Sequence, residues 1–366
     1  MIPFTDLYSQ YKDAKKDIDA AIKYCIDGNH FITGPVTQHF EQTIADYTGA
    51  RACASTGSGS TALLCALLGA GIGPGDEVIT TPLSYVSTSE AILQCGATPV
   101  YVDINWTYMI DEENISSAIT KKTKAILFVD LYGQTPRIEK LKRIAKEKNL
   151  ILIEDAAQSF GSSYKGKRVG SLVDLTCFSF NPLKNLGAMG DAGAVTGSKT
   201  LIDKVKMYRD HGRKQPGIYE TMGYNARIDN IQAKILEAKL PYINRWIEGK
   251  REIVERYNNE LIDWFIKPVE IKGSYHTYYV YVVQVPNRKH RDNFIKYMAD
   301  NGVQCNTHYN RALTKQPAYK KFAKHSCSIA ETFAERVVSL PCYHSLTKKQ
   351  QKHIIEVANK FKDTVS

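Results

Sequence analysis

Between about Ala52 and Val195 the chain alternates short, nearly all-apolar runs with stretches whose apolar residues recur every three or four positions. The apolar runs predict strands at Glu77 to Thr80, Thr98 to Val102, Thr123 to Asp130, Leu150 to Glu154, Leu175 to Phe180 and Gly193 to Thr196. The periodic stretches predict helices at Ser60 to Leu68, Ser87 to Gln94, Ile138 to Lys148 and Thr200 to Arg209. Strands that are apolar on both faces and separated by helices imply a mostly parallel sheet covered on both sides. A long helical pattern from Asn230 to Glu260, interrupted at Pro241, leads into a second unit. There, strands are expected at Tyr278 to Val285 and Val303 to Thr307, and helices at Arg291 to Asn301, Ser326 to Arg336 and Thr347 to Phe361. The chain therefore reads as a large α/β domain over residues 1–240 and a smaller α+β domain over 241–366, with no internal repeat or low-complexity tract.

Composition supports two cores: 366 residues with 43% hydrophobic content can bury both. The net charge of +10 is spread over short clusters mixed with acids, such as Lys140 to Lys148, which read as solvated helix faces. It suits an anionic ligand, whereas the basic and aromatic interleaving of a nucleic-acid binder is missing. Eight cysteines are scattered without metal-ligand spacing, several inside apolar runs, which points to a reducing cytoplasm and to no metal site. The start Met1-Ile2-Pro3-Phe4 does not resemble a signal peptide, and no window has the apolar length of a membrane span.

The candidate chemistry lies at strand ends, where ligand sites of α/β proteins form. One apolar run ends at Asp155 with Gln158 just beyond, and the next leads through Ser179 to Lys184 and the glycines 187, 190 and 193. An acid and a lysine so delivered suit pyridoxal phosphate: the lysine forms a Schiff base and the carboxylate keeps the pyridine nitrogen protonated. Upstream, Gly57-Ser58-Gly59-Ser60 opens onto an apolar helix, an arrangement that presents backbone N–H groups to a phosphate. The same turn matches the weak dinucleotide pattern GxGxxA, but the acids Asp76 and Glu77 precede the next strand instead of ending it, so a dinucleotide site is disfavoured. Tyr85, past the strand ending at Thr80, can stack on a planar ring, and Gln158 can donate to a phenolate oxygen. Taken singly, each has a blander reading as a turn, a packed aromatic or a solvated lysine; their company raises them.

These residues sit within a wider resemblance to the DegT/DnrJ/EryC1/StrS family of pyridoxal-phosphate-dependent sugar aminotransferases. It runs through Phe31-Ile32-Thr33-Gly34-Pro35, Phe40-Glu41, Gly71 to Ile79, Gly96 to Val100 with Val102-Asp103, Glu154 to Gln158, His211-Gly212-Arg213, Tyr224 to Arg227 and Ser339-Leu340-Pro341. The resemblance implies a fold-type I aminotransferase with a seven-stranded-type sheet, a homodimer sharing its active sites, and the N-terminal segment near the small domain. It implies Lys184 as the Schiff-base lysine, Asp155 on the pyridine nitrogen and Gln158 on the ring hydroxyl. Ser58, Gly59, Ser60 and Ser179 would hold the phosphate, Tyr85 would stack on the ring, and Asn225 would reach the phosphate of the neighbouring subunit's cofactor. Tyr224, Arg213, His308 and Tyr309 are expected near the substrate, and Lys214 or Arg227 are further candidates for its diphosphate. Some relatives carry His in place of this Lys and are dehydratases, so Lys184 favours transamination.

The stretch Ser179 to Asp191 looks like the branch that aminates C3 of keto sugars. The expected reaction moves an amino group from glutamate, by way of pyridoxamine phosphate, to a dTDP-3-keto-6-deoxyhexose. The product would be a dTDP-3-amino-3,6-dideoxyhexose for glycan biosynthesis such as lipopolysaccharide O-antigen. A UDP-linked 3-keto sugar, a 4-keto nucleotide sugar and a non-catalytic regulatory binder are the alternatives. Asn310 and Thr314 stand where relatives often have Pro and His, which leaves the hexose open.

Overall fold

The computed structural model describes residues 1–364. Helices α1 (Leu7–Asp27) and α2 (Pro35–Thr48) precede β1 (Ala52–Thr56), α3 (Gly59–Gly69), β2 (Glu77–Thr80), α4 (Ser87–Gln94) and β3 (Thr98–Tyr101). Then come α5 (Ile115–Ala118), β4 (Thr123–Val129), α6 (Ile138–Lys148), β5 (Ile151–Asp155) and two short strands, β6 (Ser163–Tyr164) and β7 (Lys167–Arg168). Next are β8 (Leu175–Ser179), β9 (Gly193–Gly197), α7 (Lys199–Arg209) and the hairpin β10 (Arg213–Gln215) to β11 (Ile218–Tyr219). Helix α8 (Asn230–Lys239) passes through a turn of 3₁₀ helix at Pro241 into α9 (Ile243–Glu260), where the proline interrupts the helical pattern. The rest comprises β12 (Ser274–Tyr275), β13 (Tyr281–Gln284), α10 (Arg288–Asp300), α11 (Ser328–Arg336), β14 (Val337–Leu340) and α12 (Lys348–Phe361).

Seven strands form one sheet in the order β1-β9-β8-β5-β4-β2-β3. The pairs β2–β3, β2–β4, β4–β5 and β5–β8 are parallel, and β9 runs antiparallel to both its neighbours. The pleat explains why these strands read as continuous apolar runs. In β4, Ile126 and Phe128 join one apolar layer with Phe40, Phe178 and Phe180, while Ala125 and Leu127 join the other with Leu63, Leu67 and Val78. Each large apolar side chain so buried contributes about 1.5–3 kcal/mol. Because β9 alone is reversed, the carboxyl ends of the other six strands share one edge of the sheet.

A second apolar cluster gathers around the antiparallel pair β13–β14, with Tyr257 of α9, Phe294 and Met298 of α10 and Ile354 and Phe361 of α12. Ile2 packs into this cluster and bridges Val303. The expected strand over Val303 to Thr307 is not formed. Val303 bridges Ile2 and Asn306 bridges Ser339, so the segment crosses between two neighbours without running along either. Helices α1 and α2 and strands β1 and β14 lie outside the predicted elements. The buried stripe of α1 is only Ala14, Ile18, Ala21 and Cys25, a single large aliphatic among small residues, which gives a weak periodic signal. Among the described residues, no helix is long and apolar enough to cross a membrane.

Candidate active site

The carboxyl end of β1 is fixed from below by Glu41 of α2, a buried carboxylate. It accepts from the Ser55 N–H at 3.0 Å and Ser55 Oγ at 2.9 Å, and it pairs with Lys206 at 2.7 Å and with Arg209. Burial pushes the Glu41 carboxyl up and the two cations pull it down, so that it lies below the usual range. The chain then turns through Gly57, whose N–H donates to Ala226 O at 2.8 Å, into α3. Ser58 caps that helix: its Oγ accepts from the Thr61 N–H at 3.1 Å, and its own N–H donates to Thr61 Oγ1 at 3.0 Å. Gly59 follows because nothing larger fits. A Cβ there would lie 2.6 Å from Ser179 Cβ and 3.2 Å from Ser179 Cα. The turn and the end of β8 thereby form a tight cradle at the positive end of α3, with Ser60 Oγ bonded to Ser87 Oγ at 2.6 Å along its rim.

Asp155 ends β5 and is buried. Its Oδ1 accepts from the Ala157 N–H at 3.2 Å and its Oδ2 from Thr88 Oγ1 at 2.7 Å. Thr88 has one hydroxyl proton and gives it to the carboxylate, so Ser84 Oγ, 2.7 Å away, must be the donor to Thr88. The relay therefore runs from Ser84 through Thr88 to Asp155. Burial raises the Asp155 carboxyl above its ordinary range, and Thr88, Ala157 and the Lys184 charge work against that rise. Gln158 Oε1 accepts from the Tyr132 N–H at 2.8 Å and its Nε2 donates to the Tyr309 hydroxyl at 2.9 Å. One amide hydrogen of Gln158 remains for a ligand.

Lys184 follows β8 in a turn made by Asn181, whose carbonyl accepts from the Lys184 N–H at 2.8 Å and whose Oδ1 accepts from the Leu183 N–H at 3.2 Å. The loop closes so tightly that a Cβ on Gly187 would sit 2.4 Å from Pro182 O. The residue is half-buried, yet its amine stands over the Tyr279 ring, 4.6 Å from the centroid. Burial lowers its pKa to about 8, with Asp155 acting in the opposite direction. Beside it, His308 Nδ1 meets Ser339 Oγ at 2.8 Å, and burial with the Lys184 charge holds the imidazole down at about 4, hence neutral at pH 7.

These groups enclose one cavity of about 490 Å³. Of the residues expected from the sequence, Ser58, Gly59, Ser60, Tyr85, Asp155, Gln158, Ser179, Lys184, His308 and Tyr309 all line it. Tyr85 is 57% exposed and stands at the mouth, its ring 6.0 Å from that of Tyr309. Arg213, Tyr224 and Asn225 do not line the cavity of their own chain; all three are exposed, around the β10–β11 hairpin. Arg213 and Arg227 pair with Asp210 and Lys214 pairs with Glu220, so each of these cations has a local acid. The sequence reading missed Ser84, Thr88 and Tyr279. The hydroxyl-rich run Ser84-Tyr85-Val86-Ser87-Thr88 at the start of α4 was the available signal for the first two; Tyr279 carried none.

The sequence pattern of the DegT/DnrJ/EryC1/StrS aminotransferase family matches residues 12–359. The chain is 37% identical over 368 residues to the pleiotropic regulatory protein of Geobacillus stearothermophilus, covering 98% of each. It is 38% identical over 367 residues to the dTDP-3-amino-3,6-dideoxy-alpha-D-galactopyranose transaminase of Aneurinibacillus thermoaerophilus, covering 99% of each. Among solved structures, DesV of S. venezuelae in complex with a ketimine intermediate matches with a TM-score of 0.95 at 33% identity, over 98% of both chains.

Proposed function

The chain belongs to the DegT/DnrJ/EryC1/StrS aminotransferase family, and from that membership we propose that it transfers an amino group from glutamate to a keto nucleotide sugar with pyridoxal phosphate as cofactor. The observation that carries this reading is the convergence of the Lys184 amine, the Asp155 carboxylate and the amino end of α3 on one cavity. The cofactor fits the groups present: the close approach that Gly59 allows brings Ser179 beside the amino end of α3, where a phosphate would be held, and a buried carboxylate lines the same cavity. Ser58, Gly59, Ser60 and Ser179 would hold the phosphate, Asp155 the pyridine N–H, Gln158 the ring hydroxyl through its spare amide hydrogen, and Tyr85 one ring face. Bound there, pyridoxal phosphate supplies an electron sink and carries the amino group between the two substrates.

The chain's own residues supply the acid–base chemistry. Burial lowers the Lys184 pKa to about 8, so the free amine is far more accessible near neutral pH than that of an ordinary lysine, and it serves as nucleophile and as base for the Cα proton of glutamate. Asp155, with Thr88 and Ala157 as donors, is held toward the ionised form that pairs with a pyridinium. The Tyr279 ring lies against the amine, and Tyr309 lines the same cavity. Neutral His308 presents its remaining ring nitrogen as a hydrogen-bond partner for a sugar hydroxyl.

The acceptor is proposed to be C3 of a dTDP-3-keto-6-deoxyhexose, supported by the Ser179 to Asp191 segment and by the likeness to the Aneurinibacillus transaminase. A homodimer sharing its sites is supported by the exposure of Ile218, Tyr219, Met222 and Tyr224 on and beside the β10–β11 hairpin and by the place of Asn225 outside its own cavity. The eight free cysteines suit a reducing cytoplasm. Lys184→Ala should abolish both the Schiff-base absorbance and turnover, and a K184A protein that still transaminated would sink the scheme. Product NMR and mass spectrometry distinguish C3 from C4 amination and dTDP from UDP. The likeness to a protein named as a regulator favours a second reading, a binder of cofactor and keto sugar without turnover. Glutamate-driven loss of the Schiff-base band separates the two, since a pure binder would leave it in place.

A further inference from the structure

Two buried lysines outside the cavity have no ion-pair partner among the described residues, and both reach the loop that carries Lys184. Lys250, on α9, donates to Asn185 Oδ1 at 2.9 Å and to the Tyr279 carbonyl at 3.4 Å. Lys239, at the end of α8, donates to the Gly187 carbonyl. Asn185 is the residue after Lys184, and Tyr279 is the ring over which the Lys184 amine stands. One buried ammonium thus grips both the chain that delivers the catalytic amine and the aromatic that receives it.

We infer that Lys250 is the positioning residue for the Lys184 amine, locking the Asn185 turn to the Tyr279 segment so that the amine faces the cavity. The inference rests on the proposed role of Lys184. Its physical basis is the cost of the arrangement. A lysine surrounded only by neutral acceptors is retained in a core at a penalty, and burial draws its pKa down to about 8. The backbone that carries this lysine is also held in place. Helix α9 packs so closely on the Cys342 to His344 segment that a Cβ on Gly249 would lie 3.2 Å from His344 Cβ, and Cys342 Sγ approaches the Lys250 carbonyl at 3.9 Å. Asn185 is fixed from its other side, with Nδ2 donating to Phe160 O at 3.3 Å, so its Oδ1 is presented to Lys250 in one orientation. The bond also joins α9 and the Tyr279 segment to the loop after β8, making the presentation of Lys184 depend on how these parts pack.

The test is the rate at which full-length apo-protein forms a Schiff base with pyridoxal phosphate and, separately, with pyridoxal. The adduct is trapped with borohydride and located by mass spectrometry. Lys250→Met keeps the unbranched apolar stem as far as Cε and loses the amine donor; it should slow trapping at Lys184 by about tenfold or more with both aldehydes. An effect common to both aldehydes reports the amine and not the phosphate cradle. Asn185→Ala removes the same bond from the other end without emptying the lysine site, and provides the measurement should K250M fail to fold. The double variant should be no slower than the slower single one, the signature of a shared interaction. Trapping by K250M, or by N185A alone, within twofold of the parent rate would overturn the inference while the role of Lys184 stood, and so would additive slowing in the double variant. A parent protein that traps no pyridoxyl group on Lys184 would instead remove both the inference and the reading beneath it.

Discussion

Thr88→Val removes one hydroxyl from a fully buried residue and leaves its shape almost unchanged. In the parent, Thr88 Oγ1 is the shorter of the two donors to Asp155, at 2.7 Å, and the acceptor for Ser84 at 2.7 Å. The variant leaves Asp155 with the Ala157 N–H at 3.2 Å and takes away the acceptor of the Ser84 hydroxyl. A hydrogen bond to a charged group contributes about 1.5–3 kcal/mol, and only the ionised carboxylate pairs with a pyridinium. Pyridoxal phosphate should therefore bind roughly 10- to 150-fold more weakly. The same loss should raise the Asp155 pKa further, in the direction burial already drives it. Titration of apo-protein with pyridoxal phosphate, followed by absorbance, reads the affinity. Thr88→Ser keeps the hydroxyl and should stay near the parent. A T88V protein that bound the cofactor within twofold of the parent, with a parent-like spectrum, would refute the view that Thr88 sustains the Asp155 charge.

Gly59→Ala places a methyl 2.6 Å from Ser179 Cβ on a strand hydrogen-bonded on both sides. Overpacking should cost about 1–3 kcal/mol in urea unfolding, and pyridoxal phosphate should lose more affinity than pyridoxal, which lacks the phosphate; equal losses would show that the cradle does not hold phosphate. The buried acids Asp130 and Glu154 are both raised, by burial and, for Asp130, by the neighbouring Glu154 charge, and Asp130 Oδ1 has no donor unless the pair keeps a proton. Folded protein then binds more protons than unfolded, so the pair's contribution is complete below the ordinary carboxyl range and is lost as pH rises through the raised values. Glu154→Gln, which mimics the protonated form, should flatten the decline in unfolding free energy between about pH 5 and 8; an unchanged pH profile would count against the shared proton.

Asp155 and Lys184 were legible in the sequence because one ends an apolar run and the other follows the next run within a few residues, and the carboxyl end of a strand is one of few places an ionisable side chain can follow buried residues. The Gly57 to Ser60 turn was legible for a related reason, since two glycines directly before an apolar helix have few structural uses. What stayed hidden are the partners brought in by strand order. Thr88 meets Asp155 only because β2 and β5 flank β4, and no local pattern encodes that neighbourhood. Lys250 looked like one more polar residue of a long helix, and only packing reveals that it is enclosed. The segment from Val303 to Thr307 has strand-like composition, but its two single bridges lead to different partners.

Strand β5 places Glu154 and Asp155 side by side, two acids differing by one methylene, and the pleat turns them to opposite sides of the sheet. One accepts from Thr135 and Thr176 in the sealed interior, and the other looks into the cavity. They are told apart by parity alone. A one-residue insertion or deletion in this strand would not degrade the centre gradually; it would swap the two addresses, sending the working acid into the core and its neighbour into the cavity. Side-chain chemistry at these positions should thus be more forgiving than spacing, and frame-preserving length changes in Ile151 to Asp155 should be the least tolerated lesions of the sheet.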